Sequence, residues 1–368
     1  MTKLKACFFV PFYPLIKGGA EYQSKIIAQE LTKRGYEIVF ISAGHVKEQI
    51  SYHSGLKIYE LVIDTTIKER ILLYKNFMDK VHEIIKNEAP TFIYQRILNT
   101  FTFKLSKYAK LNQIPFILHI ADNYSVEFSK GLRGSLKRYL FRKIIHTNPN
   151  IICQTDYQVD KISKWGYEPM AKIPNMHPEI IAEKIERNKQ HILWIGNARE
   201  VKQLEVFLEL STLLKNEKYE FHVIGKIPDN SYGDGLYEKI KDCDNLTYHG
   251  SKENSFINSF LQTVGVLVNT SVSEGFSNTF IQAWMCGTPV VALNSDPDGL
   301  MTHHNLGIDC KGNFDFMPKA ITTILCEKKY LMQSNRIKKS AISLFSTEAN
   351  VSKLIEIIEK IMFSNERY

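Results

Sequence analysis

Short apolar runs alternate with longer amphipathic stretches along almost the whole chain. Because a buried strand is apolar and the helix that follows it is amphipathic, this alternation is typical of a parallel sheet covered by helices. In the first half, the apolar runs predict strands at Leu4–Val10, Glu37–Ser42, Lys57–Ile63, Phe92–Gln95, Pro115–Ile120 and Ile151–Gln154. The amphipathic stretches predict helices at Ala20–Arg34, Ile67–Asn87, Thr100–Leu111, Gly134–His146 and Asp156–Lys164.

The segment Lys172–Pro178 interrupts this pattern with two prolines and an asparagine, which marks a linker. A second series then predicts strands at His191–Ile195, Tyr219–Ile224, Leu246–His249, Val266–Asn269 and Val290–Leu293. Its helices are predicted at Gln203–Lys215, Glu253–Thr263, Thr279–Cys286, Phe316–Glu327 and Thr347–Phe363. Since 368 residues exceed one typical core, we expect an α/β protein of two Rossmann-like domains.

The composition is that of a soluble globular protein, with 44% hydrophobic and 23% charged residues. We expect Leu4–Val10 to be a first strand rather than a signal peptide, because Pro11 and Pro14 cut the apolar run. The six cysteines lie far apart and form no Cys-x-x-Cys pair, which favours a reducing cytoplasm over a disulfide scaffold or a zinc site.

Positive charge is concentrated in the first part of the chain. Residues 1–150 carry 23 Lys and Arg against 12 Asp and Glu, a net of +11, whereas the remainder carries 24 against 27, a net of −3. This asymmetry indicates an anionic partner, such as nucleic acid, an anionic membrane surface or a phosphorylated acceptor. The absence of an aromatic-basic motif or a helix-turn-helix pattern argues against nucleic acid.

The most informative motif is the segment 271–279, which runs on to a helix and a buried strand. It joins a carboxylate, Glu274, to a flexible Gly275 and a polar helix start, Ser277–Thr279. A helix N-terminus offers backbone N–H groups and positive potential to an anion. The expected ligand is therefore a phosphate joined to a group rich in hydroxyls.

This segment resembles the nucleotide-sugar signature of family 4 glycosyltransferases of the GT-B fold, in which the motif is Glu-x7-Glu. Here the motif is Glu-x7-Gln, because Gln282 occupies the second position. The resemblance implies that Glu274 lies near the donor sugar and that Gln282 contacts the ribose hydroxyls, with Gly275, Phe276, Ser277, Asn278 and Thr279 around the donor. An amide carbonyl can accept a hydrogen bond from ribose but carries no charge.

The resemblance also implies the architecture: two doubly wound parallel-sheet domains that face each other across a cleft. Residues 1–174 would form an acceptor-binding domain and residues 175–345 a nucleotide-sugar-binding domain. Residues 346–368 would form a helix that crosses back to the first domain.

Two features of the first domain are similar to the family's site. Gly18 and Gly19 follow the first strand and open the first helix, where the family's Gly-Gly loop approaches the donor diphosphate or the acceptor. The alternative is a plain strand-to-helix turn. His119 ends a strand, where α/β proteins often bind ligands, and the family has a histidine there close to the donor sugar. We predict a catalytic-site role for His119, although not that of a general base; the alternative is a structural histidine.

The segment Trp194–Gln203 opens the second domain. The family shows Gly-Arg and then Glu-Lys-Gly here, so Lys202 falls on the Lys position and Asn197 on the Arg position. Arg199 is a candidate for the missing charge. Two cations would neutralise a departing diphosphate. The resemblance implies that the strand ends at Gly225 and Gly250 border the base, where no residue distinguishes uracil from guanine. We expect a UDP-sugar rather than a GDP-sugar as the donor.

A basic amphipathic stretch, Lys130–Lys143, alternates cations with Leu136, Leu140 and Phe141. It predicts docking on an anionic membrane surface, at the cytoplasmic face of the inner membrane. The alternative is a surface helix that packs its apolar side on the sheet.

The resemblance implies a retaining hexosyltransferase that needs no cofactor and moves a sugar from a nucleoside-diphosphate sugar to a glycan or lipid-linked acceptor, as in bacterial polysaccharide, lipopolysaccharide or glycolipid synthesis. Because no metal-ligand cluster such as Asp-x-Asp lies beside the motifs, we expect no metal. The alternatives are a catalytically inactive sugar-nucleotide-binding protein of the same fold and a nucleotide-sugar epimerase.

Overall fold

The computed structural model of the protein describes residues 4–63, 70–128, 130–181 and 186–365. The chain forms two compact units, Met1–Pro174 with Thr347–Tyr368, and Asn175–Ser346. The division between the units falls within the proline-containing linker. No helix in the described ranges combines the length and the apolarity needed to cross a bilayer.

The first unit is built on one twisted sheet. Its strands are β1 (Lys5–Phe9), β2 (Glu37–His45), β3 (Gln49–His53), β4 (Leu56–Val62), β5 (Phe92–Gln95), β6 (Phe116–His119), β7 (Asn150–Cys153) and β8 (Ala171–Lys172). Their order across the sheet is β3-β4-β2-β1-β5-β6-β7-β8. Neighbouring strands pair in parallel except at the β3 edge, where β3 runs antiparallel to β4.

Helices connect these parallel strands, as the alternating pattern requires. They are α1 (Gly19–Lys33), α2 (Arg70–Glu88), α3 (Thr102–Leu111), α4 (Leu132–Ile145) and α5 (Asp156–Ser163). The residues before Arg70 in the predicted helix Ile67–Asn87 lie outside the described part of the chain. Buried aliphatic and aromatic side chains of β1, β2, β5, β6 and β7 pack against α2, α3, α4 and α5 and form a large hydrophobic cluster of the unit.

The second unit has an all-parallel sheet. Its strands are β9 (Asn188–Ile195), β10 (Glu220–Ile224), β11 (Leu246–Tyr248), β12 (Val264–Asn269), β13 (Val290–Ala292) and β14 (Gly307–Asp309), in the order β11-β10-β9-β12-β13-β14. Its helices are α6 (Leu204–Leu213), α7 (Ser231–Lys241), α8 (Asn254–Thr263), α9 (Asn278–Met285), α10 (Leu300–His303), α11 (Met317–Leu325) and α12 (Tyr330–Phe345). Hydrophobic clusters lie on both faces of this sheet.

The last helix, α13 (Thr347–Asn365), is part of the first unit. It lies beside α1, since Arg34 Nη1 donates to Ser352 Oγ over 3.2 Å. Short 3-10 helices occur at Asn123–Ser125, Glu200–Lys202, Lys215–Glu217, Pro297–Gly299 and Phe314–Phe316.

Candidate active site

The sheet order of the second unit determines where its two sequence motifs meet. Beginning from β9, the chain moves outward through β10 and β11 and then returns to the other side of β9 with β12. Ligands of such open α/β sheets bind at the carboxyl ends of the strands where this reversal occurs. The segment 196–203 follows β9 and the segment 270–279 follows β12, so both motifs lie at the reversal point.

Glu274 and Lys202 are in direct contact at this point. Lys202 Nζ donates to Glu274 Oε1, and the two side chains are 20% and 11% exposed. Oε1 also accepts from Ser271 Oγ at 2.7 Å and from Asn269 Nδ2 at 3.1 Å. Within the described residues, Oε2 has no hydrogen bond, so one oxygen of the carboxylate is available to a ligand.

Thr270 holds the two loops together beneath this ion pair. Its hydroxyl lies 2.9 Å from the carbonyl oxygen of Lys202 and 2.8 Å from that of Gln203. It also accepts a hydrogen bond from Trp194 Nε1 at 3.1 Å. The backbone of Val272 donates to Val201 over 2.9 Å. These contacts fix the Lys202 backbone relative to the end of β12, so the ion pair is supported by a rigid frame.

The turn after Glu274 leads into α9. Ser277 is the N-cap residue, and its Oγ lies 3.0 Å from Thr279 Oγ1. Asn278 is the first residue of the helix, so the first-turn N–H groups begin within the motif. The Phe276 side chain is 5% exposed and packs on Phe345 with ring centroids 5.5 Å apart. The Phe276 side chain therefore belongs to a hydrophobic cluster of the unit.

Gln282 lies on the second turn of α9 and is 4% exposed. Its Nε2 donates to Asn258 Oδ1 of α8 at 3.2 Å. The amide nitrogen is therefore engaged within the unit. Asn258 was not singled out from the sequence, because a contact between two helices that are distant in sequence leaves no local pattern.

Asn197 and Arg199 are exposed on the loop after β9. Arg199 contributes its carbonyl oxygen, which accepts from the Lys202 backbone at 2.7 Å. In the part of the chain that the structure describes, neither side chain forms an ion pair or a hydrogen bond. The Arg199 guanidinium therefore faces solvent near Lys202.

Glycines follow three adjacent strands of this sheet. Gly225 has φ +149°, and a Cβ there would lie 1.7 Å from the Gly196 carbonyl oxygen. Gly225 N donates to Gly250 O at 2.9 Å. The close approach of these three loops requires glycine at position 225.

The first unit contains the other predicted site residues. Gly18 is the N-cap of α1, and Gly19 is its first residue. The Glu21 side chain folds back so far over this helix start that a Cβ on Gly18 would collide with it. Burial raises the pKa of Glu21. The Glu21 side chain thus already covers the N-terminus of α1. In this respect the N-terminus of α1 differs from that of α9.

His119 is fully buried at the end of β6, and both ring nitrogens are engaged. Nε2 donates to the Ile173 carbonyl at 3.0 Å, while Nδ1 accepts from Tyr94 Oη at 2.8 Å and Arg96 Nη1 at 2.9 Å. Burial, and then the Arg96 cation, holds the pKa of His119 well below its usual value. The ring is neutral and both of its nitrogens are engaged within the first unit, and the site role of His119 stays a prediction.

Residues 189–325 match the family described as glycosyl transferases group 1. An uncharacterized glycosyltransferase of Haemophilus influenzae is 23% identical over 353 residues, covering 92% of this chain and 94% of that protein. Sucrose-phosphate synthase of Thermosynechococcus elongatus is similar in structure, with a TM-score of 0.80 at 13% identity over 98% of this chain and 100% of that chain.

Anabaena HepE in complex with UDP-glucose has a TM-score of 0.69 at 12% identity, over 99% of this chain and 100% of that chain. These structural similarities show the GT-B fold, which confirms the predicted fold class. The sequence matches are both to glycosyltransferases, one over residues 189–325 and the other over 92% of this chain.

Proposed function

We propose that this chain moves a sugar from a nucleoside-diphosphate sugar, a UDP-sugar rather than a GDP-sugar, to a hydroxyl of a glycan or lipid-linked acceptor, with retention of the anomeric configuration. The observation that carries the proposal is the contact between Glu274 and Lys202 at the reversal point of the second sheet. A carboxylate beside a cation and a helix start suits a sugar joined to a diphosphate.

Each of the predicted site residues has a distinct task in the proposed transfer. Glu274 Oε2 orients the donor sugar and faces its developing positive charge. Lys202, Arg199 and the Ser277–Thr279 helix start neutralise the departing diphosphate, which is the main electrostatic need of the reaction. The leaving phosphate takes the acceptor proton. Gln282 contacts the ribose, while Gly18 and Gly19 are assigned to the diphosphate or the acceptor.

The ion pair implies a change at Lys202 when the donor binds. Without the donor, Glu274 holds the ammonium group. A diphosphate carries more charge than one carboxylate, so it competes for Lys202 and frees more of Glu274 for the sugar. We assign no catalytic step to His119, because its ring nitrogens are engaged within the first unit.

A binding assay followed by a turnover assay tests this function. Thermal-shift screening against nucleotides and nucleotide sugars should give one selective stabilisation, which identifies base and sugar together. With that donor, Glu274→Gln should lower kcat by about 100-fold or more, since charge stabilisation at the reacting centre is lost. Lys202→Met should weaken donor binding as well as turnover.

The matched control is Lys215→Met, which removes a surface lysine paired with Asp244 at 2.7 Å in the same unit. It should leave binding and turnover unchanged. The alternative, an inactive sugar-nucleotide-binding protein, rests on the neutral residues Asn197 and Gln282. Selective donor binding with the same negligible turnover in the wild type and in Glu274→Gln would favour that alternative.

We also propose that α4 docks on an anionic membrane at the cytoplasmic face. Leu132, Leu136 and Tyr139 are 92%, 60% and 55% exposed. Their spacing places them on one face of the helix, whereas Phe141 and Ile144 are buried. The helix thus packs one side on the core and leaves a second apolar stripe exposed.

Cations flank this stripe. Arg142 and Lys143 are exposed, and Lys143 Nζ lies 5.3 Å from the centre of the Tyr139 ring. Apolar side chains beside cations suit an anionic lipid surface. Co-sedimentation with vesicles rich in phosphatidylglycerol should fall in the double variant Leu132→Ser/Leu136→Ser and at high salt. The control Leu111→Ser removes a 73% exposed leucine of the same unit. Unchanged sedimentation of the double variant would contradict this docking.

A further inference from the structure

Three side chains with metal-ligand chemistry lie side by side on the sheet of the second unit. His191 on β9 pairs in register with Glu220 on β10, and His222 follows two residues later on β10. Since alternate residues of a strand face the same side, all three side chains project from one face. One potential ligand atom from each residue lies within 4.8 Å of the others.

Two ring nitrogens of this cluster have no hydrogen-bond partner among the described residues. His222 is 6% exposed, and its Nε2 is buried without a partner among the described residues. The same holds for Nδ1 of His191. A buried polar atom without a partner costs on the order of 1–3 kcal/mol. Nε2 of the buried His222 therefore calls for a bound group, and the His191 ring lies beside it, with ring centroids 4.7 Å apart.

One ring nitrogen of His222, Nδ1, is engaged with a neighbouring residue, so Nε2 is the nitrogen available to an ion. His222 Nδ1 lies 3.1 Å from Nε2 of His249. A proton on Nδ1 makes this hydrogen bond and leaves a lone pair on Nε2, which is the form that binds a metal.

The distance between two of the potential ligand atoms and the exposure of the cluster to solvent also suit a bound ion. His191 Nε2 and Glu220 Oε2 are 3.1 Å apart, close to the ~3.3 Å between two ligands of a tetrahedral Zn²⁺ with bonds of about 2.0–2.1 Å. Asn188 Nδ2 lies 2.9 Å from the same nitrogen of His191, so an ion would take the place of this contact. The Glu220 side chain is 64% exposed and that of His191 22%, so an ion can enter from solvent at this edge of the cluster.

We propose that His191, Glu220 and His222 bind one divalent transition-metal ion of the Zn²⁺ type, with water completing the coordination. Two imidazoles and a carboxylate are a ligand set that zinc accepts. The ion joins β9 to β10 and stabilises the second unit. Glu220 begins β10, whereas Glu274 and Lys202 lie beyond the carboxyl ends of the strands, so this site is independent of the proposed transfer.

Calorimetric titration of the whole chain with Zn²⁺, in protein free of any polyhistidine tag and first treated with a chelator, tests the proposal. We expect one ion per chain and a rise in melting temperature when Zn²⁺ is added. His191→Gln and Glu220→Gln should each weaken binding by about tenfold or more. His222→Phe, which keeps an aromatic ring in the buried position, should also lose the ion.

The control is the double variant His303→Gln/His304→Gln, which removes two adjacent exposed histidines of the same unit. It should bind Zn²⁺ as the wild type does. A wild-type Kd weaker than about 100 µM, or equal affinity in the wild type, His191→Gln and Glu220→Gln, would overturn the proposal. Because the readout is ion stoichiometry and melting temperature, the result does not depend on the proposed transferase activity.

Discussion

The side-chain amide of Asn175 donates a hydrogen bond to the carbonyl oxygen of Phe276 over 2.6 Å. Asn175 directly follows Pro174 of the linker, whereas Phe276 lies in the turn between Glu274 and α9. Both residues are buried, at 6% and 5% exposed. The linker of this chain thus fixes the backbone of the proposed donor-binding turn.

Replacing Asn175 with alanine should therefore affect the donor site more than the rest of the unit. The Phe276 carbonyl would lose a buried donor, which costs about 1–3 kcal/mol of stability. The turn would also loosen, so the KM for the donor should rise by about tenfold. Melting temperature and donor kinetics measure the two effects.

Asn245→Ala provides the comparison. Asn245 Nδ2 donates to the Ser211 carbonyl at 3.0 Å, which is the same kind of bond away from the motif loops. This variant should lose stability without a change in the donor KM. If both variants shift the donor KM equally, the positioning role of Asn175 is wrong.

Thr270→Val tests the frame beneath the ion pair. Valine keeps the side-chain shape but removes the hydroxyl that contacts Trp194 and the Lys202 carbonyl. The buried Trp194 Nε1 would be left unpaired, so we expect a loss of about 1–3 kcal/mol in the free energy of unfolding. Urea denaturation measures this loss.

Thr263→Val is the matched control for that loss. Among the residues that the structure describes, the Thr263 hydroxyl bonds only within its own helix segment, to Phe260 O at 2.8 Å. Its replacement should change the stability by less than the Thr270 variant does. Equal losses in the two variants would show that Thr270 has no special part in joining the loops.

Much of the fold was predictable because parallel strands are short and continuously apolar. Strands such as β5 and β12 are buried along their whole length and stand out from the polar segments around them. Strand β3 and helix α7 were not predicted, because neither has a clear apolar pattern. Strand β3 is an edge strand with mostly exposed side chains, and α7 contains Gly233 and Gly235, which are poor helix formers.

The site was predictable only where its residues are close in sequence. Glu274 and the start of α9 belong to one continuous motif. The bond from Asn175 to Phe276 and the bond from Gln282 to Asn258 join segments that are distant in sequence, so no spacing rule predicts them. The strand-end position of His119 predicted a role at the site, but it could not predict the hydrogen bonds from Tyr94 and Arg96 that engage its buried ring.

Arg187→Lys should destabilise the second unit. Arg187 Nη1 donates to Val264 O at 2.5 Å and to Thr288 Oγ1 at 2.6 Å, and Nη2 donates to Cys286 O at 2.7 Å. The guanidinium thus lies at the carboxyl ends of α8 and α9, where carbonyl groups carry partial negative charge. Lysine cannot reach all three acceptors at once.

We expect this substitution to lower the free energy of unfolding by about 1–3 kcal/mol, measured by urea denaturation. Arg336→Lys changes an exposed arginine on α12 and should be neutral. A neutral result for both variants would mean that the Arg187 contacts contribute nothing measurable.

Glu88, at the end of α2, should make stability depend on acid pH. Burial acts to raise the pKa of Glu88, but hydrogen bonds from Lys57, Tyr59 and Lys5 overcome it and lower the pKa to about 2. The folded state therefore favours the carboxylate more than the unfolded chain does. This contribution is present above the ordinary pKa of 4.5 and is lost as the pH falls towards 2.

Denaturation of the wild type and of Glu88→Gln across this pH range should reveal that loss. At neutral pH the wild type should be more stable by up to about 3 kcal/mol, and the difference should shrink as the pH falls below 4.5, because protonation removes the same charge that the substitution removes. Glu48→Gln, which removes a half-exposed partner of Lys80, should stay close to the wild type throughout. A constant difference between the wild type and Glu88→Gln from neutral pH to pH 2 would show that the Glu88 charge does not stabilise the fold.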